Sequence, residues 1–123
     1  METALVIEDN PNNMVLICDI LELNGYSVIQ AETGTSGFEI AKTHNPDFII
    51  LDIQLPDING FNVLEKIREN AITENIPVIA MTSYAMAGDK AKFIAAGCDG
   101  YVEKPIEPEL VIKQIQKALK KSK

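Results

Sequence analysis

Short runs of successive apolar residues alternate along this chain with stretches in which apolar positions recur every three or four residues. The runs are ALVIED (4–9), YSVIQA (26–31), FIILD (48–52), PVIAMTS (77–83) and GYVEK (100–104). A strand that is apolar at successive positions is buried on both faces, as in a parallel sheet. The segments between the runs carry helix punctuation. Asn10 reads as an N-cap with Pro11 at the first helical position, and that helix extends to about Leu23 before Asn24-Gly25. GTSGFEIAKTHN (34–45) is a second helix stopped by Pro46, and Asn59 caps a third that runs to about Asn70. A fourth, near Gly88 to Ala96, stops at Gly97, where a left-handed residue is expected. Pro108 opens a fifth that runs into KKSK.

Five βα units in succession predict an α/β sandwich, with a parallel sheet covered by helices on both faces. No linker, repeat or low-complexity tract divides the 123 residues, so one domain over 1–123 with no attached output domain is expected. The first helix has more apolar surface than one sheet contact needs. Met14, Ile17, Cys18 and Leu21 form a stripe for the sheet, and Leu16, Ile20 and Leu23 form a second. The second stripe either packs on the last helix, whose Val111, Ile112, Ile115 and Leu119 are also in line, or is a patch for a partner.

Charge and cysteine content narrow the function classes. The net charge of −7 disfavours direct nucleic-acid binding and suits a bound cation. Cys18 and Cys98 belong to no CxxC or Cys/His cluster, which argues against zinc and for two packed thiols in a reducing compartment. The longest apolar run, Met14 to Cys18, is far too short for a membrane span. No signal peptide precedes the first strand, so a cytoplasmic location is expected. His44, the one histidine, falls at a helix end before Asn45-Pro46 and reads as a solvated surface residue.

In sheets of this kind ligands bind beyond the carboxyl ends of the strands. Those ends carry Glu8-Asp9, Asp52, Thr82-Ser83 and Lys104-Pro105. Three carboxylates on one rim cannot all stay ionised without a counter-charge, and a hard divalent cation such as Mg2+ (or Mn2+) supplies it. A carboxylate is also a nucleophile toward phosphorus that needs no base near neutral pH. Lys104 would pair with Asp52 at rest or with a phosphoryl group carried by Asp52, and the Thr82 hydroxyl would donate to a phosphoryl oxygen.

The acid pair Glu8-Asp9, LDIQLPDINGF around Asp52, IAMTSYAM around Thr82 and YVEKPI around Lys104 occur in order, each at a strand end. Together they resemble a response-regulator receiver domain of the CheY-like family, over essentially all 123 residues. MTSYAMAGDK and GCDGYVEKPI are similar to single-domain DivK-like regulators and to the receivers of hybrid kinases. The resemblance implies the flavodoxin-like (βα)5 fold with strand order 2-1-3-4-5. It implies that Asp52 accepts phosphate from a phosphohistidine of a sensor histidine kinase or histidine phosphotransfer protein. Asp9 and Asp52 would ligate Mg2+ directly, Glu8 through water, and Gln54 through its backbone carbonyl. Lys104 would contact the phosphoryl group, with a cis bond to Pro105. Thr82 and Tyr101 would act as the switch, Tyr101 moving from exposed to buried, and Gln54 and Tyr84 would flank the attack path, with Tyr84 slowing hydrolysis. Output would pass to a downstream protein effector, with room for a phosphorylation-dependent homodimer.

Three other readings stay open. The chain could be a receiver fragment of a larger hybrid kinase or regulator. An aspartate-nucleophile phosphohydrolase resembles a D-x-D pattern, but Gln54 stands at the second position and cannot protonate a leaving group. An FMN-binding flavodoxin-like protein would want a hydroxyl- and glycine-rich loop after the first strand, where EDNPNN repels an unshielded anion. Apart from its own phosphorylation and slow autodephosphorylation, no enzymatic activity is expected.

Overall fold

Among the described residues ten elements alternate, as the apolar pattern predicts. They are β1 (Thr3–Ile7), α1 (Pro11–Leu23), β2 (Ser27–Ala31), α2 (Gly34–His44) and β3 (Phe48–Asp52), followed by α3 (Gly60–Glu69), β4 (Val78–Thr82), α4 (Asp89–Ala95), β5 (Gly100–Glu103) and α5 (Pro108–Lys121). The computed structural model describes residues 2–55, 57–82 and 89–121. Ser83 and Tyr84, both named from the sequence, lie outside the described residues. The strands pair in parallel in the order β2-β1-β3-β4-β5. This is the doubly wound flavodoxin-like arrangement. The predicted runs overshoot the strands by a residue or two: the ladder ends at Ile7 and Glu103, leaving Glu8, Asp9 and Lys104 just beyond it.

The alternation of side chains along each strand divides the core in two. Ala4, Val6, Phe48, Ile50, Ile79 and Met81 face α1 and α5, with Ile17, Leu21, Val111 and Ile115 packed among them. Leu5, Ile7, Ile49, Leu51, Val78 and Ala80 face the other way, against Ala41 of α2, Val63, Leu64 and Ile67 of α3 and Phe93 of α4. Burying one such aliphatic side chain stabilises by about 1.5–3 kcal/mol. The second stripe of α1 splits. Ile20 is buried with the α5 side of the core, while Leu16 and Leu23 are 40% and 86% exposed. Packing on α5 therefore accounts for one of its three residues.

Local signals end the helices where expected. The Asn10 side chain accepts from the amides of Asn12 (2.9 Å) and Asn13 (3.1 Å), and that of Asn59 from Phe61 (2.8 Å). Such caps each contribute about 1 kcal/mol. Asn45 leaves α2 in the left-handed region at φ 45°, and Gly97 follows α4 at φ 110°.

The amino-terminal rim of the sheet is tied by Arg68. Its guanidinium donates to the carbonyls of Gly97 (3.0 and 2.8 Å), Glu74 (3.1 Å) and Ile76 (2.7 Å), and to Asp99 Oδ2 at 3.0 Å. Asp99 Oδ2 also accepts from the amide of Val78 at 3.0 Å, joining the starts of β4 and β5. On the same rim, Asp47 Oδ2 accepts from the amide of Thr3 at 2.6 Å. His44 is exposed there, 2.8 Å from the Thr43 hydroxyl and remote from the carboxyl rim.

Candidate functional site

Four strand ends bring their polar residues together on the carboxyl rim. Glu8 follows β1 directly, and its amide continues the ladder by donating to the carbonyl of Ala31 at 3.0 Å. Asp52 is the last residue of β3, flanked by paired strands on both sides. Thr82 ends β4, and its carbonyl accepts from the amide of Lys104 at 2.8 Å. Glu8, Asp52 and Thr82 are 1%, 1% and 2% exposed, whereas Asp9 is exposed. A carboxylate is rarely buried to that degree without a strong partner.

The partner within reach is shared. Lys104 Nζ lies 3.1 Å from Glu8 Oε1 and 3.4 Å from Asp52 Oδ2. The sequence suggested a pair with Asp52 alone; in the structure the lysine is closer to Glu8. Asp52 Oδ1 accepts from the amide of Gln54 at 2.9 Å, and Glu8 Oε2 from the amide of Asn10 at 3.2 Å. Glu8 Oε1 is buried and receives no hydrogen bond, Lys104 meeting it as a charge contact only. Burial, and then the neighbouring Asp52 carboxylate, push the Glu8 carboxyl up to about 7 against the lowering effect of Lys104. One lysine does not neutralise two buried carboxylates.

This arrangement fits a hard divalent ion. Glu8, Asp9 and Asp52 offer carboxylate oxygens within 4.8 Å of one another. With all groups charged, three carboxylates and one lysine leave a charge of −2. The donors are all oxygen, as Mg2+ prefers, and the buried oxygen without a hydrogen bond belongs to a residue of the same cluster. No cysteine or histidine belongs to it, which disfavours zinc.

The remaining residues named from the sequence occupy the same rim or its margin. The Lys104–Pro105 bond is cis. Tyr101 is half-buried rather than fully exposed, with its ring stacked on Phe93 at 5.1 Å. Phe93 stacks in turn on Phe61 at 5.1 Å, so three rings link β5, α4 and the first turn of α3. Sequence reasoning missed that stack, because its members come from segments far apart in the chain. It also missed Asp57, whose carboxylate crosses from the β3–α3 loop to the start of α2.

Comparison with known proteins agrees with this geometry. Residues 4–116 match the model of the response regulator receiver domain. The chain belongs to the response regulator receiver domain family. The receiver is 36% identical over 118 residues to the polar-differentiation response regulator DivK of Brucella ovis, covering 96% of each chain. Among solved structures, it is similar to a CheY-like receiver domain protein from Methanospirillum hungatei JF-1 (TM-score 0.89, 27% identity, covering 99% of this chain and 96% of that one). It is also similar to the receiver domain of a sensor histidine kinase from Pseudomonas aeruginosa PAO1 (TM-score 0.88, 28% identity, covering 97% and 98%). That structure has a magnesium ion coordinated in its active site cleft. Receivers of this family bind Mg2+ in the acidic site and interact with sensor kinases and effectors. Among the described residues no helix is long and apolar enough to cross a membrane.

Proposed function

We propose that this receiver takes a phosphoryl group onto Asp52 from the phosphohistidine of a sensor histidine kinase or histidine phosphotransfer protein. The observation that carries the reading is the placement of Asp52. It is a buried carboxylate at the end of a central strand, with Lys104 on one oxygen and the Gln54 amide on the other. In the transfer, an Asp52 carboxylate oxygen forms a bond to phosphorus as the P–N bond to imidazole breaks. The electron pair returns to the imidazole nitrogen, leaving an acyl phosphate on the aspartate.

The chain's residues have distinct parts in this reading. Lys104 shifts its charge from the Glu8–Asp52 pair to the oxygens of the incoming group. Thr82 offers its hydroxyl to a phosphoryl oxygen. Asp9 and Asp52 would hold Mg2+ directly, with Glu8 holding it through water and Gln54 through its carbonyl. When bound, Mg2+ supplies charge neutralisation for the transferring group. Gln54 has no acidic proton to give a leaving group, so the protein promotes its own phosphorylation and slow dephosphorylation and turns over no external substrate. Movement of Thr82 and Tyr101 then alters the face formed by α4, β5 and α5, which a downstream protein effector reads. Nucleic acid is not contacted directly, and the setting is the cytoplasm.

Incubation with Mg2+ and acetyl phosphate, followed by intact-mass measurement, tests this. One phosphoryl adduct is expected, acid-stable and base-labile, and absent from Asp52→Asn. No adduct at any Mg2+ concentration would refute the mechanism. An adduct that survives Asp52→Asn would move the site elsewhere.

A further inference from the structure

The loop between β3 and α3 carries Gln54 and is held at two places. At its base, the amide of Ile53 donates to Met81 (3.1 Å) and the amide of Gly60 to the carbonyl of Ile53 (2.9 Å). Any Cβ at position 60 would run into the backbone of Ile53, so glycine is what lets the loop close there. At its far side, Asp57 reaches α2. Asp57 Oδ1 accepts from the amide of Gly34 at 2.8 Å, and Oδ2 from the amide and hydroxyl of Thr35 at 2.9 and 2.7 Å.

These are helix-start amides that the local cap does not serve. Thr33, the N-cap of α2, accepts from Ser36 through its hydroxyl oxygen at 3.1 Å. The other amides are taken by a carboxylate from more than twenty positions later in the chain. An apolar contact accompanies the polar one: a Cβ at Gly34 would lie 2.7 Å from the side chain of Ile58. The start of α2 is itself fixed to β1. A Cβ at Gly37 would lie 2.5 Å from Ile7, so this turn rests directly on the strand that leads into Glu8 and Asp9.

We propose that Asp57 is a positioning residue for the cation site. It ties the loop bearing Gln54 to α2, and through α2 to the strand bearing Glu8 and Asp9. The inference rests on the functional reading above. With the tether in place, the Gln54 end of the site is set before the cation arrives. Without it, the loop has to be ordered on binding, which weakens affinity and leaves the chemistry of the loaded site alone. Asp57 touches none of the reacting groups.

The test follows the rate of adduct formation from acetyl phosphate against Mg2+ concentration, at fixed ionic strength. Asp57→Ala is expected to raise the half-saturating Mg2+ concentration about tenfold, with the saturating rate within about twofold of wild type. Thr35→Val loses one of the three bonds and keeps the Asp57 charge, so it falls between the two. Glu32→Gln is the charge control, because Glu32 is an exposed acid lining the same hollow as Glu8 and Asp9. It is expected to match wild type.

An unchanged half-saturation in Asp57→Ala would overturn the proposal. So would an equal shift in Glu32→Gln, which would mean lost charge alone, or a fall in saturating rate with no shift in half-saturation. Should Asp57→Ala not fold, by circular dichroism without Mg2+, Thr35→Val carries the comparison. A wild-type protein that takes no phosphoryl group would sink the functional reading instead. Calorimetric Mg2+ affinities of the same variants would then decide the tether.

Discussion

The two rims of this sheet use the same residue types to opposite ends. At the amino-terminal rim, Asp99 is matched to Arg68 and the Val78 amide, and the guanidinium to three backbone carbonyls. At the carboxyl rim, Lys104 is divided between Glu8 and Asp52, and a buried oxygen of Glu8 has no hydrogen bond. A satisfied charge network fixes strand ends. An unsatisfied one holds free energy that only a further ion or group can release. Burial runs the same way: the Arg68 and Asp99 side chains are half-buried, whereas Glu8 and Asp52 are almost fully enclosed.

Substitutions should break the rims in different ways. The largest effect is expected for Asp52→Asn, which removes the adduct altogether by mass while leaving the urea midpoint equal to or above wild type, because a like charge beside Glu8 is gone. Arg68→Ala should do the reverse. It should cost about 2–4 kcal/mol in urea unfolding, since several acceptors lose their donor, yet the folded fraction should still phosphorylate. Mg2+ should raise the melting temperature of wild type, with a smaller rise in Glu8→Gln, read by thermal melts with and without the ion.

The smallest effect is a pH dependence at Asp57. The bonds from Thr35 and then Gly34 hold its carboxyl well below the usual carboxylate range. The unfolded chain therefore takes up the proton first as pH falls. Stability from this group is complete above about pH 4 and is lost progressively below it. Asp57→Asn should flatten that acid limb, lowering the urea midpoint most near pH 7 and least at low pH, where the wild-type carboxyl is also neutral.

Much of this was legible in the sequence, and for a physical reason. Strands covered on both faces must be apolar at successive positions, so FIILD and VIAM announce themselves, and Asn10 and Asn59 cap through neighbours two or three residues away. The acids, Thr82 and Lys104 stood out because each interrupts or ends such a run. What the sequence could not show depends on distance through the chain. The Arg68 staple joins positions 29 and 31 residues apart, and the Asp57 tether 22 and 23. Spacing could not tell that Ile20 is buried while Leu16 and Leu23 stay exposed, because that depends on which side of α1 the rest of the core covers. Strand order itself came from family resemblance, since periodicity does not say which strands are neighbours.

The two thiols have a practical consequence. Cys18 and Cys98 are both buried, and burial pushes the Cys98 thiol up to about 12 and the Cys18 thiol upward as well. A protonated, shielded thiol reacts slowly with maleimides. The chain also has no tryptophan. The protein is thus chemically and optically quiet, and one dye attached through Ile94→Cys on the exposed side of α4 would report that helix against almost no background, with the natural cysteines left in place.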